Sequence, residues 1–163
     1  MMSRAQLCRW LAYDPITGIF IWRIDSAKNV KSGNIAGGIK PNGYQYIAIN
    51  HTSYLAHRLA WFYETGLWPV AEIDHINTIR SDNRICNLRE STCVENKRNA
   101  SKRSDNVSGQ KGVSWDKKNS KWQVHIKLNR KSIYLGRFDD IIAASDAYAD
   151  AANRYFGAFA RLA

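Results

Sequence analysis

Asp74 and His75 stand side by side in this chain, and a loop carrying Asn77, Arg80, Asp82, Asn83 and Arg84 follows them. Asn87-Leu88 comes next, then a short polar segment with Asn96 and Asn99. An unperturbed imidazole titrates near pH ~6.5, so His75 is a natural base for activating water. Asp74 and Asn96 offer hard oxygen donors, which suit Mg²⁺ or Mn²⁺ rather than zinc. A base beside a divalent cation is the equipment for phosphodiester hydrolysis. The base activates water, the cation offsets charge on the phosphate and on the leaving 3′ oxygen, and the fold holds both in line with the scissile bond. Successive strand residues point to opposite faces, so Asp74 and His75 share one site only if the strand ends or bends between them, which the following loop allows.

The charge of the chain points to a polyanionic partner. Its 163 residues carry a net charge of +10. Residues 97–137 alone hold twelve Lys/Arg against two acids, Asp105 and Asp116, so the whole excess lies in that stretch. Trp115, Trp122 and Tyr134 are interleaved with it, as in a nucleic-acid-binding surface rather than a merely solvated face. Hydrophobic content of 45% is enough for packed cores. No apolar run approaches the ~18 residues of a membrane span, and the N-terminus lacks the features of a signal peptide, so a soluble intracellular protein is expected. Three cysteines, Cys8, Cys86 and Cys93, form no C-x-x-C pair; a disulfide framework and a structural zinc are not expected, and all three read as buried free thiols.

The elements that must position these residues can be read in order. Residues 3–12 form a short amphipathic helix capped by Ser3, with Leu7, Trp10 and Leu11 on one side. Asp14-Pro15-Ile16-Thr17-Gly18 is a turn, followed by a strand over residues 19–22. Residues 25–38 read as loop, and residues 44–50 as a strand with two largely apolar faces. This third is expected to be a small supporting sheet. Residues 54–66 suit a helix ended by Gly66, carrying His57, which reads as a structural histidine, and Arg58, which could touch a phosphate. A strand at 72–76, a loop at 77–86, a strand at 85–90 and a helix from about 93 to 100, capped by Thr92 with Glu95, make a ββα unit. Residues 101–109 read as a linker. Strands around 112–115, 121–128 and 131–138 are separated by turns at Asn119-Ser120 and Asn129-Arg130. A last helix, capped by Asp140 and ended by Gly157, completes a βββα unit. The expected class is α+β, with domains at 1–100 and 110–163.

The ordered set Asp74-His75, Asp82-Asn83-Arg84, Asn87-Leu88-Arg89 and Asn96, together with the upstream stretch YLAHRLAW at 54–61, resembles the HNH endonucleases of phages and group I introns. The resemblance covers residues 54–100 and implies a ββα-metal (His-Me finger) core, double-stranded DNA as substrate, one Mg²⁺ or Mn²⁺ per site, and 5′-phosphate and 3′-hydroxyl ends. Carried over, His75 matches the general base, Asp74 and Asn96 match the metal ligands, and Asn87 matches the middle Asn that braces the loop and helps hold the histidine. The last motif position is often His; here it is Asn96, which favours an oxygen-ligated metal. Asn99 is as readily helix-surface polarity. Arg80, Arg84 and Arg89 are either phosphate contacts or solvated loop charges. A monomer with one site would nick, in the cytoplasm of a bacterial host cell.

Residues 110–163 resemble the Apetala-two/ethylene-response-factor DNA-binding domain through Lys111-Gly112-Val113-Ser114-Trp115, Lys121-Trp122, Tyr134-Leu135-Gly136-Arg137-Phe138, and the alanines from Ala143 to Ala152. That family lays its three-stranded sheet in the major groove. The resemblance implies a DNA face of Lys111, Ser114, His125, Lys127 and Tyr134, with Trp115, Lys117 and Lys118 from the first hairpin and Trp122 in the core. Several family Arg and Trp positions are Lys, Ser or Tyr here, and the hairpin is a residue longer, so base-level roles do not carry over. The rival readings are a sequence-specific DNA-binding regulator with an inactive nuclease domain, and an RNA-binding or structural protein.

Overall fold

The computed structural model describes residues 2–25, 27, 30–98 and 106–160, with Lys97 and Arg98 described by their backbone alone. It is a mixed α and β structure that divides into two compact units, Met1–Cys93 and Val94–Ala163. Among the described residues no helix is long and apolar enough to cross a membrane.

The first unit opens with α1 (Arg4–Trp10). Ser3 caps it: its Oγ accepts from Gln6 N at 3.2 Å, and Gln6 Oε1 accepts from Ser3 N at 2.8 Å. The helix stops two residues short of the span read from the sequence. Leu11 and Tyr13 are buried and Asp14 is exposed, a strand alternation, and β1 (Leu11–Asp14) pairs with β2 (Ile19–Trp22). Asp14 closes the turn between them by accepting from Ile16 N and Thr17 Oγ1. Gly18, at φ +73°, lies directly on the backbone of Asn83 and Arg84, where a Cβ would overlap main-chain atoms.

A three-stranded sheet follows, β3 (Gly38–Ile39), β4 (Gln45–Ile49) and β5 (Thr52–Leu55), in that spatial order. The helix expected from residue 54 begins later, as α2 (Ala56–Thr65), because Tyr54 and Leu55 complete the ladder with β4. Gly66, at φ +75°, ends it. Leu7, Leu11, Phe20, Ile47 and Leu59 are fully buried between α1, α2 and the two small sheets. At roughly 1.5–3 kcal/mol per buried side chain, this packing outweighs the small contribution of two- and three-stranded ladders.

The unit ends with a hairpin of β6 (Glu72–His75) and β7 (Leu88–Ser91). Residues 85–87, read from the sequence as strand, are a single 3-10 turn, in which Asn87 N donates to Arg84 O and Leu88 N to Ile85 O. The short helix α3 (Cys93–Arg98) contains the division between the units. The cysteines are not buried as expected. Cys86 and Cys93 are exposed and Cys8 is intermediate, because Asn87 turns inward in the 3-10 turn and Ile73 and Leu88 fill the hairpin's share of the core.

The second unit is an antiparallel sheet of β8 (Val113–Asp116), β9 (Lys121–Leu128) and β10 (Lys131–Phe138), with β9 central and α4 (Ile141–Phe156) packed on one face. Asp140 caps α4 through a bond from Ala143 N at 3.0 Å. Asn129 and Arg130 both take positive φ, the geometry of a tight two-residue hairpin turn. Val113, Val124 and Ile126 meet Ala144, Tyr148, Ala151, Ala152 and Phe156 in a second core. The small alanines let helix and sheet approach closely. Gly112 does the same at the sheet edge, where a Cβ would run into the Tyr148 ring. Trp122 is half-buried against this core and meets Trp115 edge-on at 4.9 Å. Of the expected linker, residues 106–109 fall within the described chain.

Candidate active site

The end of β6 carries the acid and the histidine. Asp74 is 6% and His75 4% exposed, so both polar groups need partners. Asp74 lies opposite Arg89 in the β6–β7 register, and Arg89 donates to Asp74 Oδ2 through Nε at 3.0 Å and Nη2 at 2.8 Å. His75 meets a different set: its Nε2 lies 3.4 Å from Asn83 Oδ1, and its ring packs edge-on against His57 at 4.9 Å and near Tyr44 at 6.0 Å. The strand ends at His75, where Thr78 N bonds back to His75 O.

Asn87 clamps the loop that follows. Its Nδ2 donates to Asn77 Oδ1 at 3.0 Å and to Asp82 O at 2.9 Å, and its Oδ1 accepts from Asn77 N at 3.0 Å. Asn77 Nδ2 donates in turn to Asp82 Oδ2 at 2.6 Å, which also receives Arg84 Nη2 at 2.6 Å. The bonds from Arg84 hold the Asp82 carboxyl down at about 2. Asn83, 1% exposed, is anchored from outside the loop: Tyr13 Oη donates to its carbonyl at 2.7 Å, and its Nδ2 donates to Gln45 Oε1 at 2.9 Å.

Burial governs the two histidines. His57 is pulled down to about 3, first by desolvation and then by His75 and Arg58. His75 is lowered too, mainly by desolvation, against the opposing pull of Asn83 and Asp74. Both native values lie below the unfolded value of ~6.5, so the unfolded chain binds protons that the native chain refuses. The stability these groups support is complete above pH ~6.5 and declines as pH falls, by up to ~1.4 kcal/mol per pH unit for each group in the window where only the unfolded form is protonated. For His57 that window extends down to about pH 3. Urea midpoints should therefore fall between about pH 7.5 and pH 5, and His57→Phe should flatten that slope; a midpoint that rises on acidification contradicts the account.

The other residues singled out in the sequence fall in several places. Arg58 is directed into the fold rather than toward a phosphate: Nη1 donates to Ala71 O at 3.2 Å and Nη2 to Pro69 O at 2.9 Å. Arg80 is exposed, donates to Asn42 O at 2.9 Å and lies over the Tyr44 ring. Arg84 is bound to Asp82 and Arg89 to Asp74. Asn96 is half-buried on α3, in the second unit. Asn99 lies outside the described residues. Tyr13, Gln45, Tyr44 and Asn83, which surround or support His75, carry no local sequence signal of a site role. Their signal is tertiary, since Tyr13 and Gln45 reach Asn83 from 70 and 38 residues away.

In the second unit, strand alternation puts Ser114, Gln123, His125, Lys127, Ser132 and Tyr134 on the face opposite Val113, Val124 and Ile126. The rings of His125 and Tyr134 sit 5.2 Å apart there. Trp115 is on the α4 side, 46% exposed. Lys117 and Lys118 are exposed in the β8–β9 turn. A groove of about 910 Å³ along the sheet brings together Lys111, Ser114, Trp115, Lys117, His125 and Lys127, with Tyr134 and Lys118 outside its lining.

The first site offers a hard oxygen donor for a cation, the buried Asp74 carboxylate on β6. Mg²⁺ is ordinarily held by one or two carboxylates with waters and substrate phosphates, and this donor set fits that pattern. Among the described residues no cluster of three or more His, Cys, Asp or Glu could hold a metal ion.

Residues 54–98 match the family model of an HNH endonuclease. No curated protein and no solved structure matches the chain. The matched segment contains Asp74, His75, Asn87 and Asn96, and it supports an HNH nuclease, an enzyme that acts on DNA.

Proposed function

We propose that the chain is a site-directed DNA endonuclease of the homing type, in which residues 1–100 form a ββα-metal nuclease domain, residues 101–109 a linker and residues 110–163 a βββα DNA-binding domain. The observation that carries the reading is the buried Asp74-His75 pair at the end of β6, followed by a loop clamped by Asn87, within the segment that matches HNH endonucleases. His75 is the general base. Its lowered basicity keeps the imidazole neutral at pH 7 and ready to accept a proton from water. Asp74 and Asn96 are the residues that would hold one Mg²⁺ or Mn²⁺, which supplies charge stabilisation at the scissile phosphate and the leaving 3′ oxygen. Arg89 fixes the Asp74 carboxylate, and Asn87 holds the loop that follows His75. Water adds to phosphorus, the 3′ oxygen leaves, and the products are a 5′-phosphate and a 3′-hydroxyl.

The DNA grip lies elsewhere in the chain. The net positive charge falls in residues 97–137, and the groove residues Lys111, Lys117, His125 and Lys127 supply a salt-sensitive, position-setting surface beside Ser114 and Trp115. The protein acts as a monomer that nicks one strand, in the bacterial cytoplasm, encoded by a phage or an intron. Supercoiled plasmid incubated with the protein and Mg²⁺ should convert to open circles, stop converting when EDTA is added, and carry ligatable 5′-phosphate ends. Retarded DNA that is never cut with Mg²⁺ or Mn²⁺ would instead mark a binding protein without nuclease activity.

A further inference from the structure

We infer that the groove in the second unit takes a single strand of DNA, with an unpaired base stacked on Trp115. The inference rests on the reading of residues 110–163 as the DNA grip and adds the form of DNA that is held. The groove, of about 910 Å³, does not lie on one face of the sheet. Ser114, His125 and Lys127 line it from the face turned away from α4. Trp115 and Trp122 alternate to the α4 side, and Tyr148 comes from α4 itself. A lining drawn from both faces belongs to the outer edge of β8, the last strand in the order β10-β9-β8. Just before β8, Gly112 O accepts from His125 N at 2.9 Å, and the glycine lies directly on the Tyr148 ring. The groove therefore passes over the sheet edge into the space beside the helix. Duplex DNA stays stiff over about 150 base pairs and cannot follow such a turn within a few residues, whereas a single strand bends at each nucleotide.

The lining carries both parts of a single-strand site. Lys111, Lys117 and Lys127 bring positive charge, and among the described residues no Asp or Glu lines the groove. Asp116, next to Trp115 in the chain, is taken up by Arg137 Nε at 3.0 Å. With twelve Lys/Arg against two acids in residues 97–137, the field here favours a phosphate backbone. Trp115 supplies the platform. It is 46% exposed, a large apolar ring left in water among cations. Trp122 braces it at 4.9 Å and 67°, an edge contact rather than a parallel stack. Stacking on such a ring serves a base that has left the duplex, and it tolerates any sequence because every base has a π-face. The groove thus holds a parted strand and does not choose the target.

Binding by the full chain is measured in EDTA, so that cutting plays no part, with probes of about 12 nucleotides. The probes are a labelled single-stranded DNA without self-complementarity, the duplex of the same sequence, and a strand of abasic sites carrying the same charge. The wild type should quench its tryptophan fluorescence on the single strand and bind it at least about 10-fold more tightly than the abasic strand. Trp115→Ala should weaken single-strand binding about 10- to 100-fold and lower the ratio of single-strand to duplex affinity, and Trp115→Phe, which keeps a ring, should recover most of the loss. An abasic strand held as tightly as DNA leaves only charge and overturns the inference. So does an unchanged single-strand affinity in folded Trp115→Ala, a loss that falls equally on the duplex, or a Phe protein no better than Ala. RNA of the same sequence bound more than about 10-fold tighter than DNA overturns the choice of DNA. Should Trp115→Ala fail to fold, the abasic comparison on the wild type decides. A chain that binds single strands in this way and never nicks keeps this inference and loses the nuclease reading; one that grips only the duplex keeps the grip and loses this inference.

Discussion

His75→Ala is expected to reduce plasmid nicking by at least about 10²-fold while leaving DNA retardation on a gel near the wild-type level. Positioned general bases contribute roughly 10²–10⁴-fold, and the substitution removes the group proposed above to accept the proton from water. Binding should survive because the net positive charge sits in residues 97–137, outside the β6–β7 hairpin. The buried ring also packs on His57, so the Ala protein will lose some stability as well as its base. His75→Gln separates the two effects: its side-chain amide can still donate toward Asn83 Oδ1, but it cannot accept a proton. Both variants should be inactive, and Gln should be the more stable in urea. Nicking by either one at the wild-type rate removes His75 from the mechanism.

Asp74→Ala should lower the stability of the first unit by ~3–5 kcal/mol, because it removes the carboxylate that takes two bonds from Arg89, whose side chain is only 16% exposed. Replacing both partners, as Asp74→Leu with Arg89→Met, should recover most of that loss, since two apolar groups of similar volume leave no uncompensated charge. Activity should follow a different order, absent in the single and in the double variant, because neither retains the β6 carboxylate. Urea midpoints set against nicking rates for the four proteins, including Arg89→Met alone, test this. A loss below about 1 kcal/mol in the single variant would show that the pair behaves as an ordinary surface ion pair.

Features with local causes were legible in the sequence. Ser3 and Asp140 cap their helices with their own side chains, and the positive φ of Asn129 and Arg130 belongs to the turn they form. The order Asp74, His75, Asn87, Asn96 falls within the segment that matches a known nuclease family. What the pattern hid is long-range. The apolar spacing at residues 54–66 reads as one helix, yet Tyr54 and Leu55 are claimed by β4, whose pairing no local rule shows. Arg58 resembles a phosphate contact until the carbonyls of Pro69 and Ala71 are seen to take its donors. Asn83 looks like one more polar loop residue, and its burial depends on Tyr13 and Gln45.

The bond from Tyr13 Oη to Asn83 O, together with the bed that Gly18 leaves for the same backbone, bears on how portable the segment that matches the nuclease family is. A graft of residues 54–98 into a foreign scaffold would bring the acid, the histidine and the loop clamp, but not the N-terminal hairpin or β4. Asn83 would arrive without its anchors, so the transplanted histidine would keep its identity and lose its orientation. The unit that can be moved between proteins is therefore larger than the motif by which it is recognised.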